Sequence, residues 1–160
     1  MASNCSDPWV PEKGPPDLAF TNAKVVDVAR GETLAAQTIQ ISRGRFAYIS
    51  ANVDVRSAGC GQIIDLGGKY LMPGLIDCHV HVTASPGQES VRDLYAAHPN
   101  TLAFRAAWNA KQMLLRGFTT VRDTAGADFS LRRAIADGLV IGPRMFICGK
   151  ALSQTGGHGK

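Results

Sequence analysis

Residues 71–82, "LMPGLIDCHVHV", place His79 and His81 two positions apart in a chain of 160 residues that has four histidines in all. Neutral imidazole is a good ligand for zinc and other first-row divalent ions. Successive side chains of a strand alternate between faces, which predicts Leu75, Asp77, His79 and His81 on one face. Ile76, Cys78, Val80 and Val82 fall on the other. At ~3.3 Å per residue the two imidazoles stand ~6.6 Å apart along the strand, close enough to converge on one ion. The second face is apolar and suits covering helices, so Cys78 is expected to be buried against one. A nucleophilic-cysteine role gains nothing from that placement.

Two histidines are an incomplete site, because a catalytic zinc usually keeps three protein ligands and one open position. Their setting matters more than their number. The Pro73-Gly74 turn opens a region in which strands and helices alternate: strands at 75–82, 118–123 and 144–149, and helices near 101–116 and 129–137. In the long helix Leu102, Ala103, Ala106, Ala107, Ala110, Met113 and Leu114 recur at steps of three and four, and Gly117 follows as a C-terminal cap. The shorter helix carries Leu131, Ala134 and Ile135 on one side, with Asp128 able to cap its start and Gly138 its end. His98, before Asn100, reads as a solvated or capping residue at the entry to the long helix. Such alternation implies parallel strands joined by right-handed crossovers, either an open doubly wound sheet or a barrel. Both place their active sites at the C-terminal ends of the strands, where His79 and His81 lie.

Before Gly74 the texture differs. Residues 1–17 hold four of the eight prolines and little apolar content apart from Trp9, which predicts a disordered, Pro-rich tail. Residues 18–73 form short β-branched runs, "LAFTNAKVVDV", "QTIQIS", "RFAYIS" and "QIIDL", with Arg43-Gly44 where a hairpin turn belongs. This is a small all-β unit.

The bulk numbers are those of a globular protein, at 45% hydrophobic and 19% charged residues. The net charge of +4 is dispersed, with no basic stripe interleaved with aromatics, so no nucleic-acid partner is expected. No run approaches the ~18 apolar residues of a membrane span, and the N-terminus lacks a signal-peptide pattern. Cys5, Cys60, Cys78 and Cys148 form no CxxC pair, which points to a reducing, cytoplasmic setting.

Three stretches in order, "MPGLIDCHVHV", "GFTTVRDTAGAD" (117–128) and "GPRMFICGKALSQTGGHG" (142–159), carry a resemblance. Together with the preceding β unit they resemble the amidohydrolase superfamily of metal-dependent hydrolases. The likeness is to the branch of imidazolonepropionase-like proteins, Xaa-Pro dipeptidases and ochratoxinase-like amidases. It implies an α/β fold in which N-terminal strands of a β-sandwich precede a TIM-like (β/α)8 barrel. It also implies one or two divalent metal ions, with zinc foremost, and a water that breaks an amide or related C–N bond. A small-molecule amide or dipeptide is the implied substrate, and a homo-oligomeric complete enzyme is compatible with the resemblance.

Carried over residue by residue, His79 and His81 match the family's first two metal ligands. His158, in the glycine-rich "TGGHGK" loop, is expected to touch substrate. Asp123, at the end of the second barrel strand, is open to two readings, a substrate contact or a structural carboxylate that caps the following loop or pairs with Arg122 or another cation. A complete barrel needs about 250 residues, whereas Gly74 to Lys160 accommodates three βα units at most. The chain is therefore expected to be an incomplete barrel and an N-terminal portion of the enzyme. The strand-four lysine, two later histidines and catalytic aspartate of the family are not in it, so no catalytic residue is assigned here. The chain alone is expected to be inactive, with an unclosed sheet prone to aggregation. A non-catalytic interaction module, and a cyclic-amide hydrolase or deaminase of the same superfamily, are the competing readings.

Overall fold

The structure is a computed structural model and describes residues 15–51, 53–55, 59–84 and 91–157, the side chains at 91, 92 and 95 excepted. Trp9, His158 and most of the proline-rich tail lie outside these residues. The chain divides into two compact units after Pro73.

The first unit is one mixed sheet. Strands β1 (Leu18–Asp27), β2 (Glu32–Ser42) and β3 (Arg45–Ala51) form an antiparallel meander. Strands β4 (Gln62–Asp65) and β5 (Tyr70–Leu71) then pair in parallel with successive stretches of β1. Arg43 and Gly44 turn between β2 and β3 with φ of 50° and 73°. Two consecutive left-handed residues are what a tight hairpin matched to the strand twist demands. Ala19, Ala23, Ile39 and Val55 are among the buried apolar residues described in this unit.

The second unit carries the histidines. Strand β6 (Leu75–Val80) leads through α1 (Val91–Ala96) and α2 (Pro99–Leu115) to β7 (Phe118–Asp123), and α3 (Phe129–Ala136) leads on to β8 (Arg144–Ile147). The three strands are parallel and stand in the order β6-β7-β8. Neighbours in space that are also neighbours in sequence are the pattern of a barrel wall, whereas a doubly wound sheet reverses its order at a switch point. These are the first βα units of an incomplete TIM-like barrel.

The helices start and stop for local reasons. His98 caps α2 by accepting from the Asn100 amide at 3.2 Å, and Asp128 caps α3 by accepting from the Ser130 amide at 2.7 Å. Gly117 and Gly138 leave the two helices with positive φ. Ala106 and Ala110 face inward from α2, while Ala103 is exposed. No described helix is long and apolar enough to cross a membrane.

The core of this unit joins Val80, Val82, Ala106, Val121, Ala127 and Met145, with Met113, Leu131 and Ile135 packed against them. Val121 lies at the centre of the middle strand and is 1% exposed. The opposite face of the sheet has no covering layer among the described residues, and Ile76 and Phe146 are 67% and 55% exposed there. Truncating Val121 removes two buried methyl groups and leaves a cavity between sheet and helix. Val121→Ala is expected to cost about 2 kcal/mol, read as a lower urea midpoint at unchanged slope.

Candidate metal site at the end of the first barrel strand

Strand β6 is not regular. Its register against β7 passes from Asp77↔Val121 to Val80↔Asp123, three steps on β6 against two on β7. One extra residue is thus inserted at Cys78–His79, a β-bulge, and the Asp77 carboxylate accepts from the His79 amide at 2.9 Å within it. Paired residues of neighbouring strands share a face, so Asp77 sides with Val80 and the core. Strict alternation, which groups Asp77 with the histidines, fails here because of this insertion. Cys78 is also corrected: it is exposed rather than buried against a helix.

The histidines come together despite the bulge. Their rings lie 5.3 Å apart between centroids and meet edge to face at 76°, and both residues are exposed. His81 follows the last residue of β6, at the C-terminal end of the strand. Its Nδ1 stands 3.3 Å from the Ala125 carbonyl oxygen. A carbonyl can only accept, so this contact requires the proton on Nδ1 and leaves the Nε2 lone pair available. Metal-ligating histidines are held in this way, with the second ring nitrogen donating to a carbonyl or carboxylate.

Asp123 sits between the two loops that frame His81. It is 0% exposed. One carboxylate oxygen accepts from the Val82 amide at 2.8 Å and the other from the Ala127 amide at 3.1 Å. This geometry is the structural alternative for Asp123, a cap on the following loop. Its partners are backbone amides and not Arg122. Burial pushes the Asp123 carboxyl above its usual value of 3.8, against the opposing pull of the Val82, Ala127 and Ala125 amides and of His81.

Sequence reading weighed Arg122 only as a partner for Asp123, but its Nε donates to the Cys78 carbonyl at 2.8 Å. A bulge leaves backbone groups without a ladder partner, and the guanidinium supplies one. Asn109 is an omission: its amide donates to the Val82 and Ala84 carbonyls at 2.7 and 3.1 Å, tying the loop after β6 to α2. A polar residue at a helical step next to Ala106 and Ala110 was the available signal.

Among the described residues no group of three or more His, Cys, Asp or Glu side chains is placed to hold a metal ion. What they offer is a pair of imidazoles, one with its ring nitrogens already assigned. The donor chemistry fits a divalent ion as two ligands of a larger set.

The amidohydrolase family's sequence model matches residues 70–160. The chain belongs to the amidohydrolase family. It is 34% identical over 138 residues to the ochratoxinase of Aspergillus niger, a match covering 81% of this chain and 27% of that protein. Over 82 residues it is 40% identical to the adenine deaminase of Mesorhizobium japonicum, covering 51% of this chain and 13% of that one. Among solved structures it superposes on a prolidase complexed with N-methylphosphonate-L-proline at a TM-score of 0.79 and 41% identity. That match covers 88% of this chain and 34% of the prolidase. The amidohydrolase chain thus spans about a third or less of the relatives it matches.

The raised Asp123 carboxyl fixes a sign. With the folded value above the unfolded one, its contribution to stability is fully present below 3.8 and is lost as pH rises through the folded value. The stability of the wild type relative to Asp123→Asn is therefore expected to decline as the pH is raised from below 3.8 through the range above it. Urea unfolding of both proteins across that range checks it, and a rising difference contradicts it.

Proposed function

We propose that this chain supplies the first two metal ligands, His79 and His81, of a hydrolase that cleaves C–N bonds in small amides or dipeptides, Xaa-Pro substrates among them. The observation that carries the reading is the His81 ring, turned by the Ala125 carbonyl so that Nε2 is free, beside His79 at the end of the first barrel strand. A divalent ion held there, zinc by donor type, supplies Lewis-acid polarisation and water of lowered pKa. The protein's own part is to hold both imidazoles oriented, and to keep the loops after β6 and β7 in fixed relation. His158 belongs to the same reading as a substrate contact, on the strength of its glycine-rich loop.

The Xaa-Pro assignment draws support from the prolidase likeness, which extends over 88% of the chain. Amide hydrolysis draws it from the ochratoxinase likeness. Deamination of a heterocycle is a second reading, favoured by the 40% identity to an adenine deaminase. The strand motifs are shared by enzymes of both kinds, and a fold of this class hosts many reactions. Two imidazoles leave a divalent ion mostly hydrated and weakly held, so residues 1–160 alone are expected to show no turnover.

Two measurements test the proposal. Zinc bound per chain is expected to fall at least tenfold in His79→Ala and His81→Ala alike, and unchanged metal content in both variants refutes the ligand assignment. The full product of the gene is expected to hydrolyse Xaa-Pro dipeptides or N-acyl amino acids in preference to releasing ammonia from adenine. Ammonia release alone selects the second reading.

A further inference from the structure

Adjacent residues of β7 reach across to β6 from opposite faces of the sheet. Arg122 Nε donates to the Cys78 carbonyl, immediately before His79. The Asp123 carboxylate accepts from the Val82 amide, immediately after His81. The histidine segment is therefore gripped at both ends by one dipeptide of the neighbouring strand.

The Asp123 grip has a second arm. Its other oxygen accepts from the Ala127 amide, two residues beyond the Ala125 carbonyl that holds the His81 ring. The loop between is fixed at two further points, where the Thr124 amide donates to Val80 and the Gly126 amide to Gly149. Gly126 has φ of 100°, and a Cβ there would stand 2.5 Å from Thr83 Oγ1. The missing Cβ lets the loop lie close against the turn that follows His81. One carboxylate thus fixes both sides of the His81–Ala125 contact: the backbone next to the ring and the backbone next to the carbonyl.

We propose that Arg122 and Asp123 are positioning residues for the two histidines. Arg122 holds the bulge that aims His79, and Asp123 holds His81 as the Nδ1–H tautomer with Nε2 presented. The inference rests on the reading of His79 and His81 as metal ligands, but its first consequence does not need the metal. In the metal-free wild-type chain, above the ordinary imidazole pKa range, His81 is to show a protonated Nδ1 and an unprotonated Nε2.

The experiment is nitrogen-15 NMR of the histidine rings in the 160-residue chain, followed by titration with zinc alone. Asp123→Asn keeps the shape of the side chain and removes one of its two acceptor oxygens. It is expected to turn the single His81 tautomer into a mixture and to weaken zinc binding about tenfold or more. Arg122→Gln replaces an exposed side chain. It is expected to weaken zinc binding by a similar factor while the His81 tautomer stays as in the wild type, a split that general destabilisation does not produce.

An Nε2–H tautomer in the wild-type chain overturns the proposal outright. So does zinc affinity within twofold of wild type in both variants, with His81 unchanged. Should Asp123→Asn fail to fold, the wild-type tautomer and the Arg122→Gln titration still decide. If the wild type binds no zinc, the ligand reading fails, and the tautomer change in Asp123→Asn decides the positioning role separately.

Discussion

A carboxylate withdrawn from water must be compensated by hydrogen bonds, and in the second unit that requirement organises the end of the sheet. Asp123 has no solvent exposure and spends its two oxygens on the amides of Val82 and Ala127. Those amides belong to the loops that leave β6 and β7, so the carboxylate joins the two adjacent strand exits. Everything else at this end is set relative to that junction: the turn after His81, the close approach of Gly126 to Thr83, and the Ala125 carbonyl against the imidazole. A buried charge of this kind is costly, and its desolvation is what raises the carboxyl above its usual range. The cost is met locally by donors that a polar loop at a strand exit has to place somewhere.

Much of this architecture was legible in the residues because local chemistry and tertiary packing ask for the same thing. Strand β7 covers the residues expected of it, the Asp128 side chain caps the start of α3, Gly138 follows its end with a positive φ, and Arg43-Gly44 turns where two left-handed residues are needed. The bulge in β6 was not legible. Alternation is a rule about regular strands, and an inserted residue is invisible until the partner strand supplies the count. Its consequences are Asp77 on the core side and Cys78 in solvent. The rings of His79 and His81 stand side by side as their spacing suggested, whereas the geometry that presents them is a property of β7. The contacts of Arg122 and Asp123 with the histidine segment appeared only when the register placed them beside it. Hydrogen bonds from side chain to distant backbone have no sequence period.

Membership of the amidohydrolase family and the geometry of the strand exits agree on where chemistry is to be sought. They bear on different levels, however. The match over residues 70–160 concerns descent and fold, and the similar proteins include a prolidase, an ochratoxinase and an adenine deaminase. What distinguishes such enzymes lies in the residues that meet the substrate, and the parts of the site in hand are two neighbouring imidazoles and their backbone support.

The pairing of β1 has a bearing on the order in which the first unit assembles. Strands β1, β2 and β3 are joined by short turns and can zip together as soon as they exist, yet the remaining edge of β1 is satisfied by β4 and β5. Synthesis proceeds from the N-terminus, so a nascent chain carries the meander with that edge open until Leu71 has emerged. An open edge is a template for pairing with other chains, and the loop that β4 and β5 must close to reach it is the long-range step of the unit. For this part of the protein the interval of greatest exposure to misassembly falls during translation and ends just before the histidine strand emerges.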